Sequence, residues 1–421
     1  VNILIFNRSR LTIRPFREWI GPDHRIVLLT DAAAISADSE VRAAQLASYD
    51  EVIAVEKFHD NPLVERTAIG LHERYGFDQI IAMAEFDLIR AARLRAVLGL
   101  PGQTPASAEV FRDKLLMKQT LAGAGIPVAD YAAAPDPTSL LEFVGKRGFP
   151  VVLKPRRGGG SMGVRVVETE DELWDHLAET PGMGGDDGAA TLAEEYLDHE
   201  LFHVDGVVVD GEPLLLWPST QGTASCLGMI ESKPLSSSML DADDPLHEPL
   251  RELTLRALAA LPTPAITVFH AEIFGTADRG LVFNEVACRV AGGRIEEQVK
   301  TGFGVSLVEL YVRALAGRAL PDVPAVPYRI GGLALFPPRP GRLTALPERC
   351  SVPGIIDFTV HAAVGADLRQ PKASVDSYVS ALAAGDTRAD VQRSLAALAS
   401  WVAAETVIEP DDARGADSTT E

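Results

Sequence analysis

The sequence predicts an α/β chain, α+β overall, on three observations. Four short apolar runs alternate with helical or loop stretches near the N-terminus, two β-rich runs flank a glycine-rich loop, and a long hairpin pattern follows. The 421 residues suffice for several domains, and an apolar content of 47% supports their cores. Lys and Arg total 39 against 59 Asp and Glu, a net charge of −20, which disfavours broad binding to nucleic acid or anionic membrane. Any phosphate site must therefore be a local basic pocket. Cys226, Cys288 and Cys350 are odd in number, far apart and without a CxxC pair, so neither a disulfide framework nor a zinc site is indicated. A reducing compartment fits this usage. No apolar run reaches the roughly 18 residues that a membrane helix needs, and the chain opens on a strand pattern rather than a signal peptide. The expected location is cytoplasmic.

The elements follow in order. NILIF, RIVLL, EVIAV and QIIAM read as strands of a parallel, doubly wound, Rossmann-like sheet, and the first leads into NRSRL without the glycine fingerprint of a dinucleotide site. Helical spacing from Glu85 to Leu98 ends at GLPGQTPAS, which places the first boundary near residue 104. A helix over about 107–123 precedes GFPVVLKPRRGGGSMGVRVVET, a hairpin with three consecutive glycines at its turn. The stretch 180–190 reads as a flexible glycine-rich loop, and 223–248 as a long loop covering a pocket. After Arg329 come short strands, a helix near 386–405 and a polar, disordered tail. The expected domains are 1–104, 105–193, 194–329 and 330–408, with the tail at 409–421.

Two constellations carry chemistry. Lys154 ends a strand beside Gly158, Gly159, Gly160, Ser161, Met162 and Gly163, a backbone able to aim several N–H groups at one anion. It is not a P-loop, because GxxxxGK[ST] is absent and a strand pattern follows; the plainer reading is a glycine-rich hairpin turn. The second is ITVFHAEIFGTADRGLVFNEVACRVAGGR, residues 266–294. If Asp278 and Arg279 form its turn, Glu272 and Glu285 face each other across the strands, destabilising unless a cation such as magnesium lies between them. Two solvated carboxylates are the plainer reading. Arg289 and Arg294, the latter behind Gly292 and Gly293, could converge on an anion beside the pair.

Together these segments, several motifs in order over nearly the whole chain, resemble the ATP-grasp superfamily of carboxylate–amine ligases, of the L-amino-acid or dipeptide ligase kind. The resemblance implies an ATP-grasp fold: an N-terminal Rossmann-like pre-ATP-grasp domain, a mobile lid subdomain, and a C-terminal α+β domain. RDKLLMKQTLAGAGIPV and VVLKP then supply the phosphate-binding Lys114 and Lys154, and the lid loop supplies Ser161, Met162 and Gly163. LAEEYLDHELFHVDGVV is similar to the hinge that holds adenine around Glu194, Glu195, Tyr196 and Leu197, with Glu200 on the ribose. Glu272 and Glu285 match the magnesium-binding carboxylates (manganese is the alternative ion), Arg289 the arginine that steadies the transferred phosphoryl group, and Arg294 an anchor for a substrate carboxylate.

Where the family often carries E-x-N-x-R, this chain reads Glu285, Val286, Ala287, Cys288, Arg289. Asn284 is expected to face the opposite side of the sheet, leaving water at the vacant coordination position. The implied reaction joins a carboxylate and an amine, one of them an amino acid, through an acyl phosphate, with ADP and phosphate released. Two other readings stay open: a carboxylate–thiol ligase that loads an amino acid on a carrier protein, and a nucleotide-binding protein without turnover. His203 and His270 are candidate bases, and Trp217 is expected in the core before a pocket wall. The oligomeric state stays open, a homodimer included.

Overall fold

A computed structural model of the chain describes residues 1–8, 11–179, 191–222, 228–229 and 231–410. The glycine-rich loop expected at 180–190, Cys226 and residues 411–421 of the expected tail lie outside the described residues.

The four N-terminal apolar runs form strands β1 (Asn2–Asn7), β2 (Arg25–Asp31), β3 (Glu51–Val55) and β4 (Gln79–Ala82). All pair in parallel in the order β3-β2-β1-β4. In central β1, four successive residues, Ile3 to Phe6, are buried, because helices cover both faces of the sheet and neither can be polar. Ile3 and Ile5 share one apolar core with Val207, Phe303 and Phe336, far along the chain, which welds this sheet to the C-terminal half.

Strands β5 (Tyr131–Ala134), β6 (Val151–Pro155), β7 (Arg165–Val167) and β8 (Thr191–Glu195) make a four-stranded antiparallel sheet, order β5-β8-β6-β7. The single helix expected over 107–123 is two, Pro105–Arg112 and Lys114–Gly123. Asp113 divides them: its backbone is extended and its carboxylate accepts from the amides of Leu115 and Leu116. An aspartate there competes with the helix as a cap and so starts a new helix with Lys114 at its first position.

The largest sheet takes β9 (Glu200–Val209), β10 (Glu212–Gln221), β11 (Leu235–Met239), β12 (Thr267–Thr276), β13 (Gly280–Ala287) and β14 (Ile330–Phe336). It also takes β16 (Ile355–Val360) and β18 (Val379–Gly385), in the order β13-β12-β9-β10-β11-β14-β18-β16. A small sheet joins β15 (Gly341–Ala345), β17 (Asp367–Leu368) and β19 (Val407–Glu409). The loop expected at 223–248 therefore contains a strand, β11, in the interior of the sheet, and helix His247–Ala260 begins at its end. Its sequence LSSSM hides it, because Ser237 and Ser238 are buried in place of an apolar alternation, Ser237 against His203. The last long helix, Arg388–Glu405, starts on a Thr387–Asp390 capping box close to where the sequence places it. Trp217 is buried against Phe303 and His247, with its indole N–H donating to the Leu240 carbonyl at 3.0 Å. Among the described residues no helix is long and apolar enough to cross a membrane.

Candidate active site

A cavity of about 390 Å³ opens between the β5–β8 sheet and the β9–β13 end of the large sheet. Lys114, Lys154, Ser161, Met162, Glu194, Glu195, Tyr196, Leu197, Glu272, Glu285 and Arg289 all line it.

The acidic pair sits at its base. The turn of the β12–β13 hairpin has three residues, not the expected two, since Thr276 pairs with Gly280. That alone would slip the register by one. A β-bulge restores it: Ile273 pairs with Phe283 but Glu272 pairs with Glu285, so Asn284 is the extra residue. The bulge overturns the expectation for Asn284, because strict alternation fails there. Its side chain turns into the cavity, Nδ2 donating to Glu272 Oε2 at 2.9 Å and Oδ1 accepting from Lys154 Nζ at 3.3 Å. An amide group, not only solvent, therefore stands beside Glu272, with its nitrogen toward the carboxylate and its oxygen toward Lys154.

Basic groups are pre-paired around this base. Lys114 Nζ lies 2.9 Å from Glu285 Oε2 and donates to the Gly158 carbonyl at 3.2 Å. Burial pulls the Lys114 ammonium down, and Glu285, by charge and hydrogen bond, and Glu85 more than reverse this, so its pKa is raised. Burial likewise pushes Glu285 up, but Lys114 and Lys154 hold it well below the usual carboxylate range. Lys154 Nζ meets Glu194 Oε2 at 2.7 Å, and Lys118 Nζ approaches the other Glu194 oxygen at 3.2 Å. Burial would raise Glu194, yet the two lysines keep it lowered and ionised. Its side chain is thereby committed to lysines, not to a base edge.

Glu85, absent from the residues singled out in the sequence, bridges Arg289 and Arg112. Burial favours its neutral form, but Arg289 and then Arg112 hold its pKa below the ordinary value. It comes from the segment after β4, so the parallel sheet contributes directly to the cavity. Ser374 and Val375 line the opposite side, and the Ser374 amide donates to the Gly160 carbonyl at 3.1 Å, docking the glycine loop on the C-terminal region.

Three expected site residues lie elsewhere. Arg294 turns away from the cavity: its guanidinium is held by Glu297 at 2.8 Å and Asp357 at 2.6 Å, while Gly292, Gly293 and Ile295 form the wall. Glu200 is exposed at the first position of β9, where alternation turns it away from the face that carries Leu201. His199 lines the cavity in its place, stacked on Phe274 with centroids 3.8 Å apart and donating from Nδ1 to the Leu197 carbonyl at 2.6 Å. Gly163 shapes the loop without lining the cavity; its φ is +72° and a Cβ there would meet Pro155 Cγ at 2.9 Å.

His270 and His203 belong to a buried network. Asp205 accepts from His203 Nδ1 at 2.5 Å and from His270 Nδ1 at 2.9 Å. Burial opposes the His270 charge, but Asp205 and then Glu272 overcome it and raise the imidazole to about 9.

Across the wall, five carboxylates face two lysines and one arginine. A polyphosphate would be repelled from that set unless a divalent cation mediated between carboxylate and phosphate oxygens, so the donor chemistry fits a hard cation such as magnesium. Two lysines and a glycine loop thus face an opposed carboxylate pair, with the segment after β8 along the same cavity.

Comparison with known proteins agrees with this geometry. Residues 119–293 match the ATP-grasp domain and residues 333–407 match the L-amino acid ligase C-terminal domain 2. The chain carries an ATP-grasp domain. The L-arginine-specific L-amino acid ligase of Bacillus subtilis is 27% identical over 62% of this chain and 63% of its own length. An N5-carboxyaminoimidazole ribonucleotide synthase of Mycobacterium bovis is 30% identical over 53% and 50%. The chain thus spans less than two thirds of these curated relatives. The crystal structure of L-amino acid ligase from Bacillus licheniformis superposes with a TM-score of 0.75 at 15% identity, covering 97% of this chain and 98% of that one. An ADP complex of N5-carboxyaminoimidazole ribonucleotide synthetase superposes at 0.68 and 16% identity, over 95% and 96%. These likenesses make the fold an ATP-grasp fold with an amino-acid-ligase-like C-terminal region.

Proposed function

We propose that this ATP-grasp protein is an ATP-dependent carboxylate–amine ligase that forms an amide between amino acids through an acyl phosphate, releasing ADP and phosphate. The observation that carries the reading is the opposed Glu272–Glu285 pair beneath Lys114, Lys154 and the glycine loop, with Arg289 beside it. The L-amino-acid-ligase-like C-terminal region favours an amine over a thiol acceptor and an amino acid over other acids.

In this reading Glu272, Glu285 and the Asn284 amide oxygen would hold magnesium or manganese, which when bound would supply charge neutralisation for the nucleotide phosphates. Lys114 and Lys154 exchange their internal carboxylates for phosphate oxygens, so the site trades one set of ion pairs for another without stranding a buried charge. The amides around Ser161 and Met162 close over the phosphates, and the segment around Glu195 to Leu197 holds adenine through its backbone. Arg289, fixed in orientation by Glu85, takes the negative charge that spreads over the transferring phosphoryl group. A carboxylate resists amines because its charge is delocalised and its leaving group is poor. Phosphorylation supplies the leaving group, and alignment with charge neutralisation is what these residues provide.

Screening pairs of amino acids with magnesium ATP tests the reading. The expected result is ADP release that depends on both partners and equals the amide formed. ADP release without amide for every pair, or nucleotide binding with no ADP at all, would refute it and favour a non-catalytic binder.

A further inference from the structure

One buried polar chain on the cavity wall has no part in nucleotide or cation binding as described. Asp205, 1% exposed, gives one oxygen to each of two imidazoles, and the far nitrogen of one of them, His203 Nε2, lies 2.7 Å from Ser237 Oγ. A carboxylate only accepts, so the His203 nitrogen facing Asp205 carries the hydrogen, and whenever the ring is neutral the opposite nitrogen accepts from the serine. His270 differs. Its Nδ1 donates to Asp205 and its Nε2 faces Glu272 at 3.5 Å, so it lies between two carboxylates and away from the serine.

The order Asp205, His203, Ser237 is the hydrogen-bond sequence that lets a serine oxygen give up its proton while gaining another. His203 and Asp205 are two residues apart on β9 and share a face, while Ser237 approaches from β11 with β10 between them. Ser237, His203, Glu272 and Arg289 line the same cavity. The group therefore stands in the chamber where the acyl phosphate of the proposed reaction would form. Ser237 also sits on the strand whose sequence hid it, in a run of three serines, of which it reaches His203.

Resting on the ligase reading above, we propose that Ser237, backed by His203 and Asp205, is the proton acceptor for the incoming amine. The amine nitrogen, entering unprotonated, attacks the acyl carbon; the C–N bond forms and the bond from that carbon to the phosphate oxygen breaks, with phosphate leaving. The surplus proton on nitrogen passes to Ser237 Oγ as the serine's own proton moves to His203 Nε2. The resulting imidazolium is stabilised by Asp205. Ser237 ends the step unchanged, and His203 returns its proton to solvent or to the departing phosphate. This makes Ser237 the residue that touches the nucleophile and assigns His203 and Asp205 to act through it.

Hydroxylamine separates this step from the one before it. It is already unprotonated near neutral pH and intercepts an acyl phosphate as a hydroxamate with little need of a base. The full chain, magnesium ATP and the acid that supports ADP release are assayed with either the amino-acid acceptor or hydroxylamine, for the unaltered protein, Ser237→Ala, Ser237→Thr and His203→Gln. The expected result is a ratio of amide to hydroxamate about 10² lower in Ser237→Ala and His203→Gln, and restored in large part in Ser237→Thr, which keeps the hydroxyl. An unchanged ratio in Ser237→Ala overturns the proposal even if His203→Gln does not fold. No hydroxamate from the unaltered protein with any amino acid overturns the ligase reading itself.

Discussion

Glu285→Gln lowers the rate of ADP release by about 10² to 10³, roughly 3 to 4 kcal/mol of transition-state stabilisation. The substitution keeps shape and removes charge, so it isolates electrostatics from packing. Two losses combine. On the proposed reading the cation loses one of two anionic ligands, and Lys114, whose raised pKa depends on Glu285 against the pull of burial, loses the partner that fixes its ammonium beneath the glycine loop. The apparent magnesium requirement rises in the same variant, while KM for the amino acid changes little because Glu285 is placed on the phosphate side. Steady-state ADP release as a function of magnesium concentration checks both. A variant that keeps its rate and its magnesium dependence would leave Glu285 as a structural partner of Lys114 alone.

Asn284 gives the second large effect. Its amide joins Lys154 to Glu272 across the site, and the proposed role places its oxygen on the cation. Asn284→Ala is expected to weaken manganese binding in the presence of a non-hydrolysable ATP analogue by about 10- to 100-fold, the scale of losing a group that ligates or orients a ligand. Restoring an asparagine at the position where the family carries one, in Asn284→Ala combined with Ala287→Asn, recovers most of that affinity. Paramagnetic titration of manganese reads this without turnover. Equal affinity in the single variant, or no recovery in the double, would return Asn284 to a packing role.

The acidic hairpin shows what a sequence can and cannot disclose. Opposed glutamates were legible because an antiparallel hairpin pairs residues symmetrically about its turn. The turn is in fact one residue longer, and the bulge at Asn284 cancels the error. Turn and bulge compensate, so symmetry about the turn finds the right pair, whereas a period of two cannot register the inserted Asn284. The four parallel strands were legible for a simpler reason: burial on both faces leaves continuous apolar runs that no loop would carry. β11 was not, since its middle is three serines, two of them buried, and Ser237 finds its partner His203 two strands away.

Long-range pairing was the other blind spot. Glu85 stands 204 residues from Arg289, and neither spacing nor composition links them, although an acidic residue just after a parallel strand is at the end where such sheets place their sites. Arg294 was read from glycines that let the chain turn toward the cavity. The backbone does turn there, with Arg294 itself at φ +71°, but Glu297 one helical turn on and Asp357 from β16 claim the guanidinium. Glu200 illustrates a one-residue error: in a strand such a shift moves a side chain to the other face, and His199 and Leu201 take the wall instead.

The central claim is that the phosphoryl group moves to a substrate carboxylate before the amine attacks. Supplying the acid with ¹⁸O in its carboxylate and analysing the released phosphate by mass spectrometry tests this most directly. The account predicts one ¹⁸O atom in each phosphate formed, with ADP as the co-product. Unlabelled phosphate, or AMP and pyrophosphate in place of ADP, would contradict it.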